Sequence, residues 1–326
     1  MTVADRNIAG LGILFVLIGV FSISINDLLI KQLSGDYPLH ELVFVRSGIG
    51  ILFGLVIVQF EGGWSILRTQ HPWLHATRGL LIVIANMTFF LALAVLPLAD
   101  ATALFFAAPL FITLLSIPML GEKVGPLRIG AVVVGFVGVL VMQRPWAGSD
   151  TLEVSRIVLL LPVLSALTYA LNQLLTRKLG VDSKASAMAI YIQAMFILVS
   201  AVFFVVAGDG RFAEGSTNAS VNFLLRAWVW PAPDDVWVFA GLGVNAAIIG
   251  YSLSQAYRLA DAATVAPFEY VGLPLAVFWG FVVFGDVPMW EVWLGMSLIL
   301  GAGLFVFLRE RQKAQVLARG KIKGRY

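Results

Sequence analysis

The 326-residue chain has no cysteine, three histidines and few charges, with only 13% of its residues Asp, Glu, Lys or Arg. Each shortage removes a class of function. Without cysteine there are no disulfides, thiolate metal sites or cysteine nucleophiles. His40, His71 and His75 lie at the ends of apolar runs and show no ligand spacing, which argues against a metal-dependent intramembrane enzyme. Neither a GxGxxG nor a GxxxxGK[ST] loop is present, so the chain offers no cofactor cradle and no nucleotide site for ATP-driven transport. A repeated selectivity-filter sequence is also missing, which disfavours a channel.

What the chain has instead is apolar length. Sixty per cent of its residues are hydrophobic, in runs that recur from end to end. A helix needs about 20 apolar residues to cross a bilayer, and in lipid it satisfies its own backbone hydrogen bonds. The runs are continuous rather than alternating, so a membrane barrel is disfavoured. Ten spans are predicted, at 9–30, 39–60, 73–95, 98–119, 126–142, 156–177, 186–207, 237–258, 264–284 and 290–308. The fold class is all-α integral membrane. The first run is as long as its successors and lacks a small-residue cleavage site, so it reads as a retained helix and not a signal peptide. Residues 208–236 form the one long connection, whose middle (Val221, Leu224, Leu225, Trp228) is expected to lie as a short helix on the membrane surface or to stay a loop.

Orientation follows from charge. With a cytoplasmic N-terminus, the inner side collects Arg6, Arg68, Lys123, Arg128, Arg177, Lys178, Lys184, Arg258 and the basic tail 311–326, while the outer side takes mainly carboxylates. Both termini are therefore expected in the cytoplasm of a bacterial inner membrane. The tail reads as an anchor for lipid headgroups rather than a nucleic-acid patch. Trp64, Trp73, Trp146, Trp228, Trp230, Trp237, Trp290 and Trp293 fall at span ends as an interfacial belt.

The chain also repeats itself. INDLLIKQL at 25 aligns with LNQLLTRKL at 171, which pairs Asn26 with Asn172, Asp27 with Gln173 and Lys31 with Arg177, 146 residues apart. WLHATRGL pairs with WVFAGLGV, PLADATAL with RLADAATV, and LGEKV with FGDVP. The expected domains are 1–145 and 146–310, each of five spans, followed by the tail. Five is odd, so the second copy enters the membrane from the opposite side. Inverted repeats around a midplane site are the architecture of alternating-access transporters.

These blocks, together with LGEKVGPLRIGAVVVGFVGVLV and its echo FGDVPMWEVWLGMSLILGAGLFVF, resemble the paired EamA domains of the drug/metabolite transporter superfamily over essentially the whole chain. The stretches SINDLLIKQL, HATRGLL and APFEY are similar to bacterial members associated with S-adenosylmethionine or riboflavin uptake. The resemblance implies a central cavity surrounded by spans 1, 3, 4, 6, 8 and 9, with spans 5 and 10 more structural. Asp286 stands where the family usually has Glu. The expected function is secondary active transport of a small organic metabolite, amino-acid-, sulfonium- or flavin-like, proton-coupled or exchanging. The alternative is a non-transporting scaffold or sensor.

Polar residues inside spans are the site candidates, since a charge at the bilayer centre costs roughly 3 kcal/mol or more. Asn26 and Asp27 in span 1, and Asn172 and Gln173 in span 6, are expected to gate or line the cavity. Lys31 shares a helix face with Asp27, which partly neutralises it while it snorkels to headgroups. Glu269, bracketed by Pro267, Gly272 and Pro274 in a kinked span 9, is the candidate coupling carboxylate, or else it pairs with Arg78 or Arg258. Pro109 is expected to open span 4 in the same way. Asn86, Asn245, Tyr251, Gln255 and Tyr270 supply amides and hydroxyls, and Trp279 an apolar wall. Arg46 is read as a structural tie to a neighbouring helix. Gly130, Gly135, Gly138, Gly295, Gly301 and Gly303 permit close helix approach, on an internal face or in a homodimer.

Overall fold

A computed structural model describes residues 3–121, 124–144, 146, 155–179, 185–259 and 268–323. These residues form helices and connecting turns, with no strand among them. In chain order the helices are α1 (Val3–Leu33), α2 (Leu39–Glu61), α3 (Pro72–Leu93), α4 (Leu98–Phe105), α5 (Ala108–Leu120), α6 (Pro126–Gln143), α7 (Arg156–Leu179), α8 (Ala185–Ala207), α9 (Ala219–Leu225), α10 (Val236–Leu259), α11 (Gly272–Trp279) and α12 (Trp290–Lys323). Among the described residues eight spans are long and apolar enough to cross a membrane by themselves, and two shorter apolar helices, Gly272–Phe284 and Trp290–Val306, bring the number to ten.

Proline and glycine decide where helices bend. Pro109 sits in the first turn of α5, where the missing N–H is harmless, and the chain turns at 106–107 between α4 and α5. Span 4 is therefore two half-helices. Span 9 is irregular as well: Tyr270 and Val271 form a turn before α11, and a π-helical turn, Gly280–Phe284, follows it. Pro267, like Glu122, lies outside the described residues.

Helix pairing carries the duplication. In lipid the hydrophobic effect does not drive helices together, so pairing is set by packing and polar contacts. α1, α2, α3, α4–α5 and α6 correspond to α7, α8, α10, α11 and α12. Under that exchange the α1–α10 pair maps to α7–α3, α2–α10 to α8–α3, and α4–α5 against α7 to α11 against α1, while α2–α8, α4–α11 and α6–α12 map to themselves. This is the packing that two five-helix halves related by a two-fold axis produce. At the α6–α12 seam the backbones touch: a Cβ on Gly138 would lie 2.8 Å from the Gly295 carbonyl oxygen, and one on Gly295 would lie 2.3 Å from Met142 Cγ. Those two glycines serve an internal face, as Gly135 does against Leu110.

Two further expectations change. Within residues 208–236 the short helix α9 forms and turns Phe223 into the protein. Asn218 caps α9 by accepting hydrogen bonds from the N–H groups of Ser220 and Val221, and Phe223 is fully buried in the bundle. Trp228 accordingly leaves the interfacial belt and packs on His40, Phe44 and Phe204, whereas Trp64, Trp73, Trp146, Trp230, Trp237, Trp290 and Trp293 are exposed as expected. The basic segment after 310 continues α12 as helix to Lys323. At 1.5 Å per residue its 34 residues span about 51 Å, well beyond a hydrocarbon core of about 30 Å.

Candidate functional site

Two faces of the bundle matter: the N-terminal face, where α1 begins, and the opposite face, where α1 ends. On the opposite face the 208–236 segment closes over α2 and α3 like a lid. Tyr37 anchors it twice, donating to Asp235 Oδ2 at 2.7 Å and accepting from the Ala232 N–H at 2.9 Å. Glu41 accepts from the Val229 N–H (3.1 Å), His40 meets the Leu224 carbonyl (2.9 Å), and Ser220 donates to the Leu91 carbonyl (2.9 Å). Arg226 donates to the Gly35 carbonyl. Beneath this lid a large core cluster fills the bundle, including Ile30, Leu42, Leu93, Leu96 and Leu242.

Lys31 belongs to that closed end, but not as a snorkelling residue neutralised by Asp27. Its ammonium donates to the carbonyls of Leu93 (3.2 Å) and Leu96 (2.5 Å), where α3 ends, and lies 5.1 Å from the centre of the Phe284 ring. A cation at a helix C-terminus satisfies orphan carbonyls and complements the dipole.

Asp27 turns elsewhere. Its Oδ1 accepts from Asn26 Nδ2 (3.2 Å), and Asn26 Oδ1 accepts from Arg46 Nη1 on α2 (3.1 Å). Asn26 is thus a bridge between a carboxylate and a guanidinium. Arg46 is 6% exposed, its head set between the rings of Phe90 (5.8 Å) and Phe196 (5.3 Å). Other candidates on α1 and its neighbours converge just below: Asn245 donates to the Ser22 carbonyl (2.6 Å) and Trp279 Nε1 to Ser24 Oγ (3.1 Å). Trp279 therefore ties α11 to α1 as well as presenting an apolar ring.

A narrow cleft of about 30 Å³ lies between α2, α8 and α10, lined by Gly50, Gly54, Glu61, Ser186, Gln193, Tyr251 and Gln255 among others. It occupies the half of the bundle toward the N-terminal face. Gln255 donates to the Tyr251 hydroxyl (3.1 Å) and Ser186 to Glu61 Oε2 (2.7 Å). Such a volume holds a few waters, far below the 300 Å³ or more of a typical ligand pocket.

The second half has its own polar group. Gln173 donates to the Tyr169 hydroxyl (2.6 Å), and the Glu269 carboxylate is near enough for its charge to act on both Tyr169 and Tyr270. Phe105 packs edge-on to Tyr169 and Phe106 lies against Tyr270. Asn172 is as buried as Asn26. Asn86 joins neither group, donating to the Ile82 carbonyl of its own helix (3.1 Å). The side chains of Arg177 and Arg258 lie outside the described residues. Among the candidates, then, Tyr251 and Gln255 share the cleft, Asn26 and Asp27 share the Arg46 group, and Gln173, Glu269 and Tyr270 share the Tyr169 group. Sequence reasoning missed Tyr169, four residues before Gln173 on one helix face, and Glu61 at the polar end of an apolar run.

Comparison with known proteins fits this architecture. Residues 10–144 match the EamA-like transporter family. Over 277 residues the chain is 32% identical to a riboflavin transporter of Rhizobium johnstonii, covering 85% of this chain and 83% of that protein. The chain belongs to the EamA-like transporter family. It is a multi-pass membrane protein that transports a small molecule, not an enzyme. Over 301 residues it is 26% identical to an S-adenosylmethionine uptake transporter of Rickettsia prowazekii, covering 92% of this chain and 94% of that one. A crystal structure at 19% identity superposes with a TM-score of 0.58, covering 96% of this chain and 99% of the other, and shows the fold alone.

Proposed function

We propose that this EamA-type protein is a secondary active transporter that carries a small amphipathic metabolite across the bacterial inner membrane by alternating access. The reading rests chiefly on one contrast: the opposite face is sealed by the lid and its core, whereas the polar cleft lies toward the N-terminal face. In a duplicated bundle that contrast is one of two states, and rocking the halves about the two-fold produces the other. The repeats are taken to meet at residue 145, with both termini cytoplasmic, and a homodimer in contact with membrane lipids is compatible with the exposed apolar faces. The candidate solutes are amino-acid-, sulfonium- or flavin-like, in keeping with the names of the riboflavin and S-adenosylmethionine relatives. Asn26, Asp27, Asn172, Gln173, Asn245, Tyr251, Gln255, Tyr270 and Trp279 form the polar and aromatic path, and Glu269 is the group that couples solute to proton.

The test is solute flux into proteoliposomes of purified protein, with and without a proton gradient, after a thermal-shift screen against metabolite pools. Flux that responds to the gradient is expected; a scaffold or sensor shows none. Reporter fusions after residues 65 and 315 should read cytoplasm and those after 36 and 220 the outside, and an external signal at 315 removes the inverted pairing.

A further inference from the structure

Arg46 is a guanidinium with five donors, set among apolar helices, that among the described residues makes one hydrogen bond, to Asn26. Its Nε has no hydrogen-bond partner among the described residues, and neither do Ser47 Oγ, the next residue on α2, and Gln193 Oε1 across the seam on α8. Burying a charge this way is costly unless it is fully hydrogen-bonded or does something else. A structural tie would be better made by closing Arg46 directly on Asp27, whose charge acts on it. The carboxamide of Asn26 bridges the two instead.

Position adds a route. Gly50, one helical turn from Arg46, lines the top of the cleft, and a Cβ there would come within 3.2 Å of Gln193 Nε2. Phe196, one turn from Gln193 on α8, is the ring under the guanidinium. The cleft and Arg46 therefore belong to one α2–α8 seam, and parting that seam by one more turn brings the cleft to the Arg46 head.

We propose that Arg46, Asn26 and Asp27 form the head-group site of the transported solute, and that the site takes a zwitterion of the α-amino-acid type. Arg46 receives the carboxylate through paired N–H donors, and Asp27 receives the ammonium. Asn26, which closes the gap with a single carboxamide, yields both partners to a solute head longer by one bond. The opposite charges of the site match the balanced α-amino-acid head, whatever charge the rest of the solute carries. This inference rests on the transport reading above and narrows its solute class.

The experiment uses purified full-length protein and five probes: S-adenosylmethionine, methionine, methionine methyl ester, which lacks the carboxylate, N-acetylmethionine, which lacks the ammonium, and riboflavin. Competition for binding and counterflow in proteoliposomes are read for the wild type, Arg46→Gln, Arg46→Lys and Asp27→Asn. At least one of the two compounds with an intact amino-acid head should bind at least tenfold more tightly than methionine methyl ester and N-acetylmethionine. Arg46→Gln should erase the preference over the ester alone, and Asp27→Asn the preference over the N-acetyl compound alone. A merely structural role for these residues does not produce that crossed pattern. If Arg46→Gln fails to fold, the blocked compounds on the wild type still decide: equal competition by ester and parent overturns the proposal. Transport of riboflavin with all zwitterions silent overturns the head-group site while leaving a transporter. Absence of flux for every probe and every screened metabolite overturns the transport reading itself.

Discussion

The two halves of the molecule place the same amide at equivalent, equally buried positions and surround it with different charge. Around Asn26 stand Asp27 and Arg46, a bridged pair of opposite sign. Around Asn172 the equivalent positions are Gln173 and Ile192, and the charge comes from outside the repeat pattern, as Glu269 on the irregular stretch before α11. The two halves share one pattern of helix pairing. Among the described side chains, one charge of each sign stands about Asn26, whereas the Glu269 carboxylate stands beside the phenols of Tyr169 and Tyr270. A balanced pair can hold a dipolar solute without changing its own charge, whereas a single carboxylate can gain or lose a proton. On the proposals above, the first half would recognise the solute and the second would couple it to the proton.

The largest effect should come from making the first half resemble the second in one step only. Arg46→Leu leaves the Asp27 carboxylate without its cation, and losing one partner of a buried pair typically costs about 3–5 kcal/mol. The unfolding midpoint in detergent should fall sharply. Adding Asp27→Gln, which completes the likeness to Gln173, should restore most of the stability while transport stays abolished. A single variant as stable as wild type would break the comparison. Next in size, Glu269→Gln should abolish proton-driven uptake and leave solute exchange intact, measured in the same vesicles. Loss of folding instead would mean that Glu269 serves a buried ion pair.

A smaller effect is expected at the lid, which has no counterpart in the first half. Tyr37→Phe removes two hydrogen bonds to it, each contributing about 1 kcal/mol. A cysteine placed at Ser47 in this cysteine-free chain should then react faster with a reagent added from the lid side, and an unchanged rate would deny the lid a sealing role. The smallest difference separates two amides. Asn245→Ala breaks a bond between α10 and α1 and should cost about 1 kcal/mol, whereas Asn86→Ala loses only a bond within α3 and should stay within about 0.5 kcal/mol. Equal losses would place Asn86 in a contact between helices.

Much of the fold was legible because it is written locally. A span shows as a run of apolar residues, a break as Pro109, and the duplication as two similar runs 146 residues apart. The 208–236 segment was harder, because its short amphipathic helix reads equally well against lipid or against protein, and only the burial of Phe223 separates the two. Lys31 misled for a related reason. Its four-residue spacing from Asp27 places both on one face of α1, yet its ammonium donates to the carbonyls of Leu93 and Leu96 at the end of α3, which the sequence does not place beside it. Arg46 was visible as an intramembrane charge, but its one hydrogen bond and its place at the head of the cleft were not.

The sequence by itself determined the number of spans, their order and the odd count that inverts the second half, since each span must satisfy its own backbone in a medium without water and announces itself by composition. It also determined the charge difference between Asp27 and Gln173, which are residues, not contacts. The tertiary structure alone decided which polar groups meet: that Asn26 stands between Asp27 and Arg46, that Lys31 caps α3, that the lid covers one face while the cleft lies toward the other. Those meetings depend on how each helix is rotated and tilted against its neighbours. In a bilayer that choice is set by close packing and by a few polar contacts between residues far apart in the chain, which no local pattern records.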